Sequence, residues 1–482
     1  MTPLKKNNYV FILINLLLLF NLVIFFTNIF LVQYAVKEFI FFSIISISYF
    51  YYSCLKFRYY TELYLSILIY LGFYFKTTFY LIFREVNKIE IFPESAPFSS
   101  EVTDEFLNKH LSELFNISSI SIIIIFLTFY ILNNFIFYSN KNYNKCNLKG
   151  IKKFFSNHKL KSYFVFAVMA FLFISLNFIF SIVTRGSKFQ QFDIAVSILK
   201  TFFFFGLYLI VCIFLELENS KKKINQIIFF NIIMGFLISI SIYSRAMITD
   251  QLVIFFSIIN KIKNLFFKIV FFLTIISFFI CSIFIVNHMR ATKWDIQAFK
   301  TNNDVQAFKT NNDVQGLKKN VSKLHQFTSL FIHRWVGIDG LSNVVNYKEK
   351  NLNFYLDALK EKKKSGITFY ESKFFLKIKE AENYSSSHLP GFIAFSYYSG
   401  SILILIITLI FFVISMVFIE RIINYLSMNS LIITNYLVFL IVWRIIHFGA
   451  YPVNTVYYFL LIIFSVFCIF FSNKLLNKYY DR

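Results

Sequence analysis

LFFKIVFFLTIISFFICSIFIV, residues 265–286, carries a single charge, Lys268, in an otherwise apolar run. As a helix it spans roughly 30 Å, the thickness of a bilayer's hydrocarbon core. It ends at a polar stretch, Asn287 to Pro390, and a second apolar run, about 391–416, comes directly after it. Water-soluble chain between two membrane-length runs sets the architecture: helices in the bilayer and one large loop outside it. A membrane-spanning β-barrel would need short segments of alternating polarity, and these are absent.

Working outward, further apolar runs lie at about 9–32, 37–55, 61–83, 113–138, 162–183, 192–215 and 225–243. A short one ends near Asn260, and two more lie at about 430–447 and 455–472. The expected fold is an all-α polytopic membrane protein with about twelve transmembrane helices. Residues 1–286 hold spans one to nine, 287–390 form the large extracytoplasmic loop, and 391–482 hold spans ten to twelve and a cytoplasmic tail. The first run comes after Lys5 and Lys6 as in a signal peptide, but it is too long and lacks a small-residue cleavage site. We read it as the first span. The five cysteines are scattered, with neither a disulfide framework nor zinc-ligand spacing.

The formal net charge is +23. In a soluble chain that would suggest nucleic acid, but no basic helix or aromatic-basic platform appears outside the connectors whose lysines orient the spans. With the N-terminus inside, Lys56/Arg58, Lys141–Lys161, Lys221–Lys223, Lys261/Lys263, Arg421 and the C-terminal tail all fall on the cytoplasmic side. The acidic Glu90–Glu105 loop falls outside. This obeys the positive-inside rule and puts both termini in the cytoplasm.

The long loop carries QAFKTNNDV twice in tandem, at 297–305 and 306–314, a surface duplication. Leu317, Val321, Leu324, Phe327, Phe331 and Trp335 keep helical spacing, as do Leu352, Tyr355, Leu356 and Leu359. We expect at least two amphipathic helices there, packed together or lying on the bilayer, with Asp339-Gly340 breaking the first from the next segment. The loop's centre reads FIHRWVGIDGLSNVV, 331–345, and its end SSSHLPGFIAFSYYSG, 385–400.

Arginine is scarce, nine residues in all, and its distribution is inverted. Arg58, Arg421 and Arg482 fall inside. Arg84, Arg185, Arg245, Arg290, Arg334 and Arg444 fall outside or at the outer end of a span. Lysine serves as the general orienting charge, so these arginines need another reason. A guanidinium fork binds phosphate oxygens in pairs. Arg84 reads as a solitary interfacial anchor. Arg444, three residues before His447, is either such an anchor or a phosphate ligand. His388, just before Pro390-Gly391, is a candidate base or a solvated loop residue. Asp339 is a candidate carboxylate or a helix cap, and Glu371 a weaker carboxylate candidate. No Walker A loop, GxGxxG, HExxH or zinc cluster occurs, and no cytoplasmic connector is long enough for a nucleotide-sugar domain.

On HRWVGIDGLSNVV (333–345), FYESKFF (369–375), HLPGFIAFSYYSGS (388–401) and SRAM (244–247), the chain resembles the Wzy-type O-antigen polymerases. The resemblance implies glycosyl transfer on the outer face of a bacterial inner membrane. The implied partner is an undecaprenyl-diphosphate-linked oligosaccharide, worked on beside a chain-length regulator and a flippase, without metal or cofactor. It assigns Arg185, Arg245, Arg290, Arg334 and Arg444 to the diphosphate. His388 becomes the base, with Asp339 or Glu371 as substitute, and Arg334 stabilises the leaving group. A lipid-linked oligosaccharide flippase and an O-antigen ligase remain the alternatives.

Overall fold

Backbone amides and carbonyls in hydrocarbon have no water to bond, so apolar runs close their hydrogen bonds within the segment, as helices. The computed structural model describes residues 8–87, 104–136, 147–180, 205–242, 246–259, 261–262, 264–301, 336–361, 369–374, 389–448 and 452–480. The described residues are mostly helical and contain no strand. Eight of their helices are long and apolar enough to cross a membrane. The protein is an all-α membrane protein.

The chain forms two compact units. Unit 1 comprises 1–142, 324–422 and 438–463, and unit 2 comprises 143–323, 423–437 and 464–482. Unit 1 opens with α1 (Asn8–Leu31), α2 (Val36–Lys56) and α3 (Tyr60–Ile69). A π-helical turn, Tyr70–Phe75, leads α3 into α4 (Lys76–Asn87), and α5 (Asp104–Ile131) comes next. α2 packs along α5, and Phe42 stacks on Phe115 with ring centroids 5.4 Å apart.

At the connector end of unit 1, the Glu420 carboxylate accepts from the Tyr60 and Thr61 amides, each at 2.9 Å, and from the Thr61 hydroxyl at 2.8 Å. These amides open α3, where a helix leaves its first donors unpaired. Nearby, fully buried Glu62 accepts from Asn133 Nδ2 at 3.0 Å. Glu420→Ala strips the first turn of α3 of its acceptors and is expected to cost about 2–3 kcal/mol. Glu420→Gln, which keeps one acceptor oxygen, is expected to cost less; thermal unfolding in detergent measures both.

Unit 2 begins with α6 (Lys149–Asn157), α7 (Lys159–Phe180), α8 (Leu207–Leu217), α9 (Lys221–Ser241), α10 (Ala246–Ile258) and α11 (Leu265–Thr301). Gly150 lets α6 press onto backbone at Asn473 and Asn477. Phe155 is buried against Tyr163 and Phe214. Lys149, Lys152, Lys153 and Phe154 stay exposed. Lys159 at 2.5 Å and the Tyr163 hydroxyl at 2.9 Å meet Glu218, whose neighbours hold its carboxyl below the usual range despite the upward push of burial. Asn231 bonds Gln251 beside Gly235, and Asp250, the residue before Gln251, is also buried.

The loop and the C-terminal part supply α12 (Ile338–Asn346), α13 (Leu352–Leu359), α14 (Phe369–Phe374) and α15 (Phe392–Ser396). Then come α16 (Ile402–Leu426), α17 (Leu431–Ile446) and α18 (Pro452–Tyr480). On α16, Leu403, Ile407, Phe411, Ile414 and Phe418 form an exposed apolar stripe while Leu405, Leu409, Val413 and Met416 are buried. Inverted exposure of this kind suits a face turned to lipid.

Four boundaries differ from the sequence reading. Asp339 and Gly340 do not break a helix; both lie inside α12. The run read from 391 is a short buried helix, a turn at Gly400 with φ +69°, and then α16. α11 continues through the polar residues to Thr301, and α18 carries the tail to Tyr480. On α13 the buried residues are Phe354 and Ala358, while Leu352 and Leu356 are exposed. The helical pattern at 317–335 lies outside the described residues.

Candidate functional site

Two glycines make the site. Gly72, in the π turn, is the one glycine among the first 149 residues. A Cβ there would collide with the Val336 carbonyl oxygen, and a Cβ on Gly337 would collide with the Gly72 carbonyl. The loop backbone therefore lies directly on a membrane-spanning helix. A Cβ on Gly340 would likewise strike the Pro390 carbonyl. Gly391, with φ +83°, sits in the left-handed region that disfavours side chains, with Val336 and the Ile446 carbonyl close by.

This close approach seats α12 inside unit 1. Every residue from Ile338 to Val345 is buried. Ile338, Leu341 and Val344 supply the apolar contacts. Asp339, Ser342 and Asn343, spaced i, i+3 and i+4, form a polar stripe on one face. Each reaches a different element. Asp339 forms an ion pair with Lys76, at the start of α4, and accepts from the Tyr80 hydroxyl at 3.2 Å. Ser342 Oγ meets His110 Nε2 of α5 at 2.9 Å. Asn343 Nδ2 donates to the Tyr370 hydroxyl of α14 at 2.7 Å.

Both members of the ion pair are nearly inaccessible, with side-chain exposures of 2% for Lys76 and 10% for Asp339. Both contacts to Asp339 use Oδ2; Oδ1 has no hydrogen-bond partner among the described residues. The Lys76 ammonium also stands 5.8 Å from the Tyr80 ring centroid. A paired charge inside membrane helices is costly to bury, and such groups cluster at working sites. π turns are frequent at working sites too.

Lys350 closes the C-terminal end of α12. Its ammonium bonds the Val345 carbonyl at 2.6 Å, lies 5.0 Å over the Tyr397 ring and stands 3.9 Å from Glu113. Burial pushes the Lys350 ammonium below its usual range, with Glu113 acting against the shift. Tyr397 donates to Glu113 at 3.1 Å, and burial with that carboxylate raises its hydroxyl to about 12.

No known family model, curated protein or solved structure matches the chain.

Of the residues named from sequence, Asp339 lies in this seam. Arg444 is half-buried, its guanidinium carbon 4.4 Å from the Tyr458 ring centroid. His447 turns Nδ1 to the Trp443 carbonyl at 2.7 Å, with the two rings 4.6 Å apart. Arg290 lies on α11 and Glu371 on α14, but their side chains are outside the described set. Arg185, Arg245, Arg334 and His388 lie outside the described residues altogether. The described chain resumes after Arg334 at Val336, beside Gly72, and after His388 at Leu389–Pro390, beside Gly340.

Sequence reasoning missed Lys76, Tyr80, His110, Ser342 and Tyr370. Lys76 had a signal: it is the one charge between Leu63 and Phe83. A charge inside a membrane span marks a site by default. The other four carry no such mark.

Proposed function

We propose that the chain polymerises undecaprenyl-diphosphate-linked oligosaccharide repeat units into a surface polysaccharide. The reaction is a metal-independent glycosyl transfer on the outer face of a bacterial cytoplasmic membrane, by a protein of twelve spans with both termini inside. The acceptor's sugar hydroxyl attacks C1 of the donor chain. A base, His388 or in its place Asp339 or Glu371, takes the hydroxyl proton. The C1–O bond to the diphosphate breaks, and cations hold the departing anion as its charge develops. Arg185, Arg245, Arg290, Arg334 and Arg444 are the candidate arginines for it.

One observation carries this reading: the late loop is built into the membrane bundle. α12 brings a carboxylate, a hydroxyl and an amide to a buried lysine and histidine, and to a tyrosine of α14. The described chain resumes after Arg334 and after His388 at that same seam. Transport does not require such a loop. The buried Asp250, Gln251 and Asn231 of unit 2 favour a second reading, a lipid-linked oligosaccharide flippase, because transporters place polar groups mid-membrane.

Reconstitution with purified lipid-linked repeat units and no nucleotide separates the readings. Chain extension is the expected result. Transbilayer movement alone would make the protein a flippase, and a single transfer onto a lipid-A-like acceptor would make it a ligase. Arg334→Lys, which keeps the charge and loses the fork, is expected to lower extension about tenfold or more at unchanged protein level. His388→Ala is expected to lower turnover more than donor binding.

A further inference from the structure

We infer that Lys76 is the cation that receives the donor's diphosphate, and that the Asp339 carboxylate holds its place until the donor arrives. This rests on the transfer reaction proposed above and adds a residue that no sequence motif pointed to. Lys76 lies on a membrane-spanning helix, the compartment in which a polyprenyl-linked donor dissolves. Its partner belongs to a different, later segment, the loop helix α12, so the pair can part without unwinding α4. Asp339 engages through Oδ2, while buried Oδ1 has no hydrogen-bond partner among the described residues. The carboxylate offers the ammonium a single negative charge through one oxygen. A diphosphate brings more charge and more acceptor oxygens.

The pair's neighbours fit the exchange. Tyr80 points its hydroxyl at the position the carboxylate now holds, 3.2 Å away, and supplies a second donor to whatever anion replaces it. The π turn and the contact of Gly72 with Val336 and Gly337 put loop backbone, rather than side chains, immediately before Lys76. During transfer the C1–O bond breaks as the acceptor oxygen bonds to C1. The electron pair of the broken bond stays on the phosphate oxygen, against the Lys76 ammonium and the Tyr80 hydroxyl. The acceptor's proton goes to the base.

The test uses a short-chain polyprenyl diphosphate and a polyprenol of the same length, with binding read by native mass spectrometry and thermal shift on the full-length protein. The wild type is expected to prefer the diphosphate at least about tenfold, since one charged hydrogen bond carries that much. The double variant Lys76→Met/Asp339→Asn leaves neither charge buried alone, so it keeps the fold. It is expected to bind the diphosphate about 30-fold more weakly and the polyprenol equally well. Asp339→Asn alone removes the competing carboxylate and is expected to bind the diphosphate several-fold more tightly. A structural latch predicts the reverse sign, and weaker or unchanged binding in that variant overturns the inference. Should Asp339→Asn fail to fold, the double variant decides: a diphosphate preference that survives in it removes Lys76 from the site. A wild type indifferent to the diphosphate overturns the transfer reaction itself.

Discussion

Lys76→Met, made alone, is expected to destabilise the protein by about 3–5 kcal/mol, because it leaves the Asp339 carboxylate buried without its cation. The ion pair is nearly sealed, and its second donor, the Tyr80 hydroxyl, is a weak substitute for an ammonium. Adding Asp339→Asn is expected to recover most of the loss, since a neutral pair of similar volume carries no charge-desolvation penalty. Thermal unfolding of the two single variants and the double variant, in detergent or nanodiscs, gives the coupling directly. Single-variant losses under about 1 kcal/mol would show that water reaches the pair and that the seam is open.

Gly72→Ala is the second large effect. The added methyl meets the Val336 carbonyl, which is backbone and cannot rotate away, and Gly337 presses on Gly72 from the loop side. The expected cost is about 3 kcal/mol, the upper end of overpacking penalties, with the loss concentrated in the docking of α12. Hydrogen exchange at the amides of 338–346 is the readout, and faster exchange there than in α5 is the expected result. Gly235→Ala is a useful contrast. Its methyl meets the side chain of Gln251 rather than backbone, so that side chain can shift at the expense of its bond to Asn231, and about 1–2 kcal/mol is expected. Equal effects at the two glycines would mean that the Gly72 contact is not tight.

The membrane helices were legible because bilayer thickness and hydrocarbon polarity leave a long apolar run few alternatives to a helix. The loop helix α12 was not. Asp-Gly is a turn signal in isolation, and IDGLSNVVN has weak intrinsic helix propensity. Burial on all sides overrides that preference, with Asp339, Ser342 and Asn343 each bonded to a separate element. Local pattern cannot report such long-range partners. The same limit explains α13, where a stripe drawn through Leu352 and Leu356 missed that Phe354 and Ala358 face the protein. For the site, residue type alone singled out Asp339. Lys76 was passed over although it is the one charge between Leu63 and Phe83, and nothing in its neighbourhood named its partner. Arginine chemistry drew attention to Arg444, which stacks on Tyr458.

The wide separation of the paired groups along the chain has a consequence for biosynthesis. Tyr80 and Asp339 are 259 residues apart. At translation rates of about 5–20 residues per second, the α4 segment enters the bilayer roughly 10–50 s before its carboxylate has been made. Through that interval the Lys76 ammonium lacks its counter-ion, at a cost of up to about 3 kcal/mol, the insertion penalty of a lysine at a helix centre. Nascent chains stopped before Asp339 thus carry an uncompensated charge that finished chains do not, which gives quality-control proteases a physical mark by which to tell the two apart.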